Sequence, residues 1–254
     1  MREIVYLSPP SQVSMADRWF EIAAVDHFWI LRRFEALRRL AGHLIENARD
    51  IAEVGCGHGL LQRQIEDAYA REVTGFDLNE VALKQNLSER STICCYDVCQ
   101  QSPKLNRQFD LILLFDVLEH IEDEDQFLQA VLFHLAPAGH LVINVPANQW
   151  MYSAYDRAAG HKRRYSAGTL EKVSERNDLR LELWSYWGFP LLPTLIARKY
   201  WPAGKDEASI ISSGFSARNK LTNRFLGALS RCEPLPQRFL GTSLMAVLSG
   251  RPPK

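Results

Sequence analysis

A doubly wound α/β fold, built on a mostly parallel sheet of seven strands, is predicted by two observations on this sequence. Short runs rich in apolar and β-branched residues alternate with stretches of helical spacing, an order that places helices on both faces of a parallel sheet. One of those runs, Phe109-Asp110-Leu111-Ile112-Leu113-Leu114-Phe115, is apolar almost throughout, as a central strand buried on both faces must be.

Taken in order, residues 26–47 come first, with Phe34, Leu37, Ala41, Leu44 and Ile45 at the spacing of one buried helical stripe. Strands are then expected at Ile51–Val54, Val73–Phe76, Thr92–Tyr96, Phe109–Phe115 and Leu141–Val145. Pro137-Ala138-Gly139 is the expected turn between a helix around Phe127–Leu135 and the fifth strand. A sixth strand is expected near Leu179–Tyr186 and a seventh at Ser243–Leu248. The interval between those two is far longer than a hairpin needs and contains the helical stretch Leu221–Ser230. The expected organisation is therefore a helical cap over 1–48, a ligand-binding core over 49–186, a helical insertion or lid over 187–241, and a last strand and tail over 242–254.

Composition narrows the function classes. Hydrophobic residues make up 46% and charged ones 24% of the 254, an ordinary globular balance. Thirty Lys plus Arg cancel thirty Asp plus Glu, so no global field draws the molecule to nucleic acid or an acidic membrane. Cys95 and Cys99 have the spacing of zinc ligands, but no second pair completes a tetrahedral site. The five cysteines read as reduced thiols of a cytoplasmic protein. The opening residues, with Glu3, Pro9 and Pro10, show no export signal, and the apolar run Leu183–Ala197 is too short and too proline-broken to span a bilayer.

The chemistry starts at Glu53-Val54-Gly55-Cys56-Gly57-His58-Gly59, which follows the first of the expected strands and opens a helix. A dinucleotide fingerprint counted from Gly55 needs glycine where Leu60 stands, and no Gly-Lys-Ser or Gly-Lys-Thr closes a phosphate loop. The pattern E-x-G-C-G-x-G resembles motif I of the class I S-adenosylmethionine-dependent methyltransferases, whose Rossmann-like fold agrees with the order of strands. The resemblance covers residues 50–146 and implies a cofactor site made by Glu53, Gly55, Cys56, Gly57 and Gly59, with Asp77 on the ribose hydroxyls and Leu78 beside it. It further implies Asp97 and Val98 at the adenine, and Phe115, Asp116 and Leu118 where the cofactor's methionine end meets the acceptor. Asn144-Val145-Pro146-Ala147, Asp156 and Gly160-His161-Lys162-Arg163-Arg164-Tyr165-Ser166 are similar to a bacterial branch, of type 11/12-like methyltransferases, that often accompanies glycan pathways. Phe28-Trp29 with Arg32-Arg33 resembles that branch more loosely. Trp29 and Arg32 read either as a cover and a carboxylate ligand for the cofactor or as a core aromatic and a solvated base.

Methyl transfer from a sulfonium is an in-line displacement, so the protein must align three atoms and, for a hydroxyl acceptor, remove a proton. Asp116-Val117-Leu118-Glu119 stands where N-P-P-Y or D-P-P-Y would mark methylation of base amines. Asp116, Glu119 and His120 share a face if the turn after the fourth strand is helical. They resemble the E-x-x-E-H group that holds a magnesium-like ion in some small-RNA and quinone O-methyltransferases, with His161 as a further candidate ligand; the same residues also occur in metal-free relatives. The expected catalytic set is His161, His120 and Asp116, with His161 the candidate general base or a structural loop histidine. Lys162, Arg163 and Arg164 read as a phosphate grip or a solvated surface. Trp184, Tyr186, Trp187, Tyr200 and Trp201 suit a lid, or contact with sugar rings or a membrane surface. The function so reached is methylation, mainly on oxygen, of a glycan, lipid-linked intermediate or small metabolite, in the cytoplasm or peripheral to a membrane. Nucleic-acid 2′-O-methylation and a non-catalytic cofactor-binding scaffold are the alternatives.

Overall fold

The computed structural model describes residues 3–11, 25–200 and 220–250. Its strands are β1 (Ile4–Tyr6), β2 (Ile51–Val54), β3 (Thr74–Asp77), β4 (Ile93–Cys95), β5 (Phe109–Phe115), β6 (Leu135–Pro146), β7 (Leu179–Trp187) and β8 (Ser243–Gly250). Its helices are α1 (Phe28–Asn47), α2 (Leu60–Tyr69), α3 (Glu80–Lys84), α4 (Glu124–His134), α5 (Ala154–Ala158), α6 (Ala167–Arg176), α7 (Leu192–Tyr200) and α8 (Lys220–Ser230). One sheet takes the order β1-β4-β3-β2-β5-β6-β8-β7, in which only β8 runs antiparallel to its neighbours.

Eight strands are present where seven are expected. The extra one, β1, pairs in parallel with β4 at the sheet edge, Ile4 opposite Ile93 and Tyr6 opposite Cys95. Three residues followed by Ser8-Pro9-Pro10 are too few to display a period of two, and the pairing partner lies some ninety residues away. A second difference lies at Pro137-Ala138-Gly139, which is a bulge inside β6 rather than a turn ahead of it. Between Phe109 opposite Leu135 and Leu111 opposite His140, two steps on β5 face five on β6.

The sheet is buried on both faces. Along β5, Leu111, Leu113 and Phe115 pack under Leu37, Leu40, Ala41 and Ile45 of α1, while Ile112 and Leu114 pack with Phe127, Leu128 and Val131 of α4 and Leu170 and Val173 of α6. The strand order reverses between β2 and β5, and the crevice beyond their carboxyl ends is the place where doubly wound sheets take ligands. The loop 55–59 and Asp116 both open there.

Candidate active site

The glycine loop leaves β2, whose four residues are all buried. Gly55 and Gly59 hold φ of 77° and 76°, in the left-handed region that side chains avoid. A Cβ on Gly55 would stand 2.3 Å from Val117 Cγ2, and one on Gly59 2.4 Å from Asn86 Nδ2. Gly57 N–H donates to Asp77 Oδ2 (2.7 Å) and Asn79 N–H to Asp77 Oδ1 (2.8 Å). These two bonds leave lone pairs on both oxygens of a carboxylate that burial pushes above its usual range. Glu53, 3% exposed, lies at the root of the loop. Its Oε2 has no hydrogen-bond partner among the described residues. Burial first, and then repulsion from Asp77 and Asp116, push its carboxyl up to about 8 against the pull of Arg33. The other residues expected around a cofactor line up along the same edge. Leu78 is half-buried beside Asp77, Cys56 is buried in the loop, and Asp97 caps the short turn Val98–Gln100 through Cys99 N–H (2.9 Å). Val98, Phe115 and Leu118 lend their side chains to the core at 4%, 4% and 0% exposure.

Asp116 begins the turn after β5 with a φ of 58°, a strain of about 1 kcal/mol for a residue with a Cβ. Two groups hold it. Arg33 Nη1 donates to Oδ2 (2.6 Å) and Asn144 Nδ2 to Oδ1 (2.7 Å). Trp187 Nε1 donates to Asn144 Oδ1 (2.9 Å), which fixes the amide's orientation. Arg33 lies between Trp29 and Phe115, its guanidinium 5.2 Å and 5.5 Å from their ring centres, and its Nε has no partner among the described residues. Arg33 and Asn144 are site residues to which sequence reasoning assigned no role, and Trp187, grouped there with aromatics for sugar rings or a membrane surface, is instead fully buried, as is most of Tyr186. A buried tryptophan needs an acceptor for its N–H, and that need was the signal available for Trp187.

A second cluster forms below Asp116. Glu119, His120 and His161 each place a ligand atom within 4.8 Å of the others. Glu119 is 1% exposed, and its Oε2 has no partner among the described residues. Burial, then the charge of Asp116, hold its carboxyl well above the usual range. Burial and the neighbouring His161 lower His120 to about 4, so it is a neutral imidazole near neutral pH. His161 Nδ1 lies 3.0 Å from Asp156 Oδ1. Asp156 is fully buried yet held down at about 2, by His161 and by Arg164, against its burial. It also accepts from Arg164 Nε (2.7 Å), Ser153 N–H (2.8 Å) and Ser153 Oγ–H (3.0 Å). An ionised carboxylate can only accept, so His161 Nδ1–H donates to Asp156, and His161 Nε2 lies 4.0 Å from Glu119 Oε1. Asp116 itself, bound to Arg33 and Asn144, is not part of this metal-spaced group.

Other expectations fall elsewhere. Arg32 is buried against Glu233, with Nη2 3.4 Å from Oε1, and so meets a protein carboxylate rather than standing free for a ligand's. Lys162 pairs with Glu122 (3.0 Å), Arg163 with Glu124 (3.2 Å) and Arg164 with Asp156, so all three bases of that run are engaged. Trp201 lies outside the described residues. Of the cysteines, Cys56, Cys94 and Cys95 are buried free thiols, and Cys99 and Cys232 are exposed ones. No helix among the described residues is long and apolar enough to cross a membrane.

Residues 23–196 match a family model described as a methyltransferase domain. The chain is 25% identical over 162 residues to a Mycolicibacterium smegmatis protein named a probable S-adenosylmethionine-dependent methyltransferase, covering 63% of this chain and 62% of that one. It is 26% identical over 152 residues to a ubiquinone biosynthesis O-methyltransferase of Pectobacterium carotovorum, covering 54% of this chain and 62% of that one. The aligned region thus spans less than two thirds of either relative's length. Among solved structures, a SAM-dependent methyltransferase from Archaeoglobus fulgidus shares the fold, with a TM-score of 0.51, 18% identity, and coverage of 85% of this chain and 93% of that one.

Proposed function

The chain belongs to the methyltransferase-domain family, as a class I S-adenosylmethionine-dependent methyltransferase, and from that premise we propose that it methylates a hydroxyl oxygen with His161 as general base. The observation that carries this reading is the Asp156–His161 pair, whose 3.0 Å contact turns Nε2 away from Asp156, near the end of β5, as the ring's proton acceptor. A base is needed when the acceptor is a hydroxyl, and the O-methyltransferase among the relatives is consistent with that. Bound S-adenosylmethionine supplies an electrophilic methyl group. Its sulfur would keep the electrons of the carbon–sulfur bond as the methyl goes to the acceptor oxygen, and His161 Nε2 would accept the hydroxyl proton.

Glu53 Oε2 and Arg33 Nε are buried without a partner among the described residues, and the amino and carboxylate groups of the cofactor are groups that would satisfy them. Gly55, Cys56, Gly57 and Gly59 would bring backbone close to it, with Asp77 and Leu78 at its ribose, Asp97 and Val98 at its adenine, and Phe115, Asp116 and Leu118 at the transferring end. For the acceptor we favour a glycan, a lipid-linked intermediate or a small metabolite, on the resemblance carried by Asn144–Ala147 and Gly160–Ser166.

A second reading gives Glu119, His120 and His161 a divalent ion. The unpartnered Glu119 Oε2 and the Asp156 carboxylate behind His161 are what such a site requires. Metal content after dialysis against manganese or magnesium, wild type beside His120→Ala, tests it. Equal and empty samples would end that reading.

The main test follows labelled methyl from S-adenosylmethionine into cell extract separated into lipid, glycan, small-molecule, protein and RNA fractions. Label in one of the first three, lost in Asp77→Ala and strongly reduced in His161→Ala, supports the proposal. Label in RNA would move the assignment to nucleic-acid 2′-O-methylation.

A further inference from the structure

Helix α8 is apolar on its outer side as well as its inner one. Inward, Asn223 accepts from Phe28 N–H (2.9 Å) and donates to the Asp26 carbonyl (2.8 Å), Gly227 lies against Phe28, Leu226 and Leu229 are half-buried, and Ser230 is 1% exposed. Leu221 and Phe225 stand one turn apart on the opposite side, 77% and 67% exposed, with Ala228 continuing the stripe. A helix that only completed a core would leave its outer face polar.

Helix α7 also exposes an apolar stripe. Leu192 is buried, while Pro193, Ile196, Ala197 and Tyr200 fall on one exposed side, Tyr200 at 74%. Phe189, half exposed, begins the short turn that contacts both helices. Trp150, also half exposed, is tied to α7 where Lys199 Nζ donates to its carbonyl. Bases are interleaved with this apolar surface: Lys220 and Arg224 are exposed on α8, and Arg231 follows it.

The charge of the whole segment has one sign. Residues 187–241 carry eight Lys or Arg against three Asp or Glu, a net +5 in a chain whose total is +0, so the remainder carries −5. That separation selects among occupants. A second copy docking through a twofold axis would set basic stripe against basic stripe. A nucleic acid would match the charge but leave Leu221, Ile196 and Pro193 without a role. Exposed aliphatic and aromatic side chains among lysines and arginines match the interface of an anionic bilayer, where apolar faces enter the acyl boundary and bases meet headgroup phosphates.

We propose that α7 and α8, with Trp150 and Phe189, form a docking surface for anionic lipid membranes. The acceptor would then be met at a lipid surface. Binding to vesicles requires no acceptor, so this inference stands or falls separately from hydroxyl methylation.

The test is flotation of the full chain with vesicles of phosphatidylcholine alone and of equal parts phosphatidylcholine and phosphatidylglycerol. The protein is expected to float with the mixed vesicles and to be released by salt. Lys220→Ala and Arg224→Ala should each weaken binding about fivefold. Leu221→Asp with Phe225→Asp should abolish it while S-adenosylhomocysteine binding stays at the wild-type level, which shows the fold intact. Wild type that remains at the bottom with mixed vesicles at low salt overturns the proposal. So does a dimer in solution that the same Asp pair dissociates, or RNA binding that Lys220→Ala and Arg224→Ala remove and the Asp pair leaves.

Discussion

Replacing Glu53 by glutamine tests the electrostatics of the cofactor loop without changing its shape. Buried at 3% exposure, the Glu53 carboxyl is raised from 4.5 to about 8. Below about pH 4.5 both folded and unfolded chains hold this proton. Between there and about 8 the folded chain keeps a proton that the unfolded chain has lost, so Glu53 lowers stability progressively as pH rises. Each pKa unit is worth about 1.4 kcal/mol. The difference between wild type and Glu53→Gln should therefore grow from near zero at pH 5 toward at most ~5 kcal/mol in favour of glutamine by pH 9. Urea unfolding across that range reads it directly. Cofactor binding should act in the opposite sense, because a cationic amino group favours the carboxylate. Titration calorimetry in two buffers of different ionisation enthalpy should show proton release for wild type and none for Glu53→Gln. Parallel stability profiles for the two proteins would refute the buried, proton-holding carboxyl on which the reasoning depends.

Four further substitutions follow from the same structure. Gly55→Ala forces a side chain into φ 77° and against Val117, costing roughly 1–2 kcal/mol in backbone strain and a similar amount in overlap; loss of S-adenosylhomocysteine binding and a lowered urea midpoint are expected. His161→Ala should reduce methyl transfer by about 10²–10⁴-fold while leaving cofactor affinity unchanged, and Asp156→Asn should lower kcat by freeing the ring to take the wrong tautomer; an unchanged kcat in both would remove the base assignment. Glu233→Ala withdraws the acceptor of the Gly188 and Phe189 N–H groups and the more distant of the two carboxylates on the buried Arg32, so a loss of roughly 2–5 kcal/mol should appear as a Tm lower by ~10 °C in thermal melts, and a change of a degree or two would show that these groups find other partners.

Local pattern determined the sheet and the glycine loop. The strands beneath the loop announce themselves by runs of β-branched and apolar residues, and Glu53–Gly59 by positions where only glycine tolerates the backbone, both of which are properties of neighbouring residues. Asp156 and His161 both stood out in the resembling stretch, but their contact was not legible, because it needs helix α5 to set Asp156 against the residue that follows it five positions on. What the sequence alone did not determine is which residue reaches across to which. Arg32 and Arg33 are adjacent and chemically identical, yet the rotation of about 100° between neighbours in α1 sends the first to Glu233 and the second to Asp116. Trp187 passes for a surface aromatic until β7 lies beside β8 and its N–H finds Asn144. Edge strand β1 and the outward apolar face of α8 were hidden for the same reason: pairing and burial over separations of ninety to two hundred residues depend on how the layers stack, and that is decided only when the chain has closed on itself.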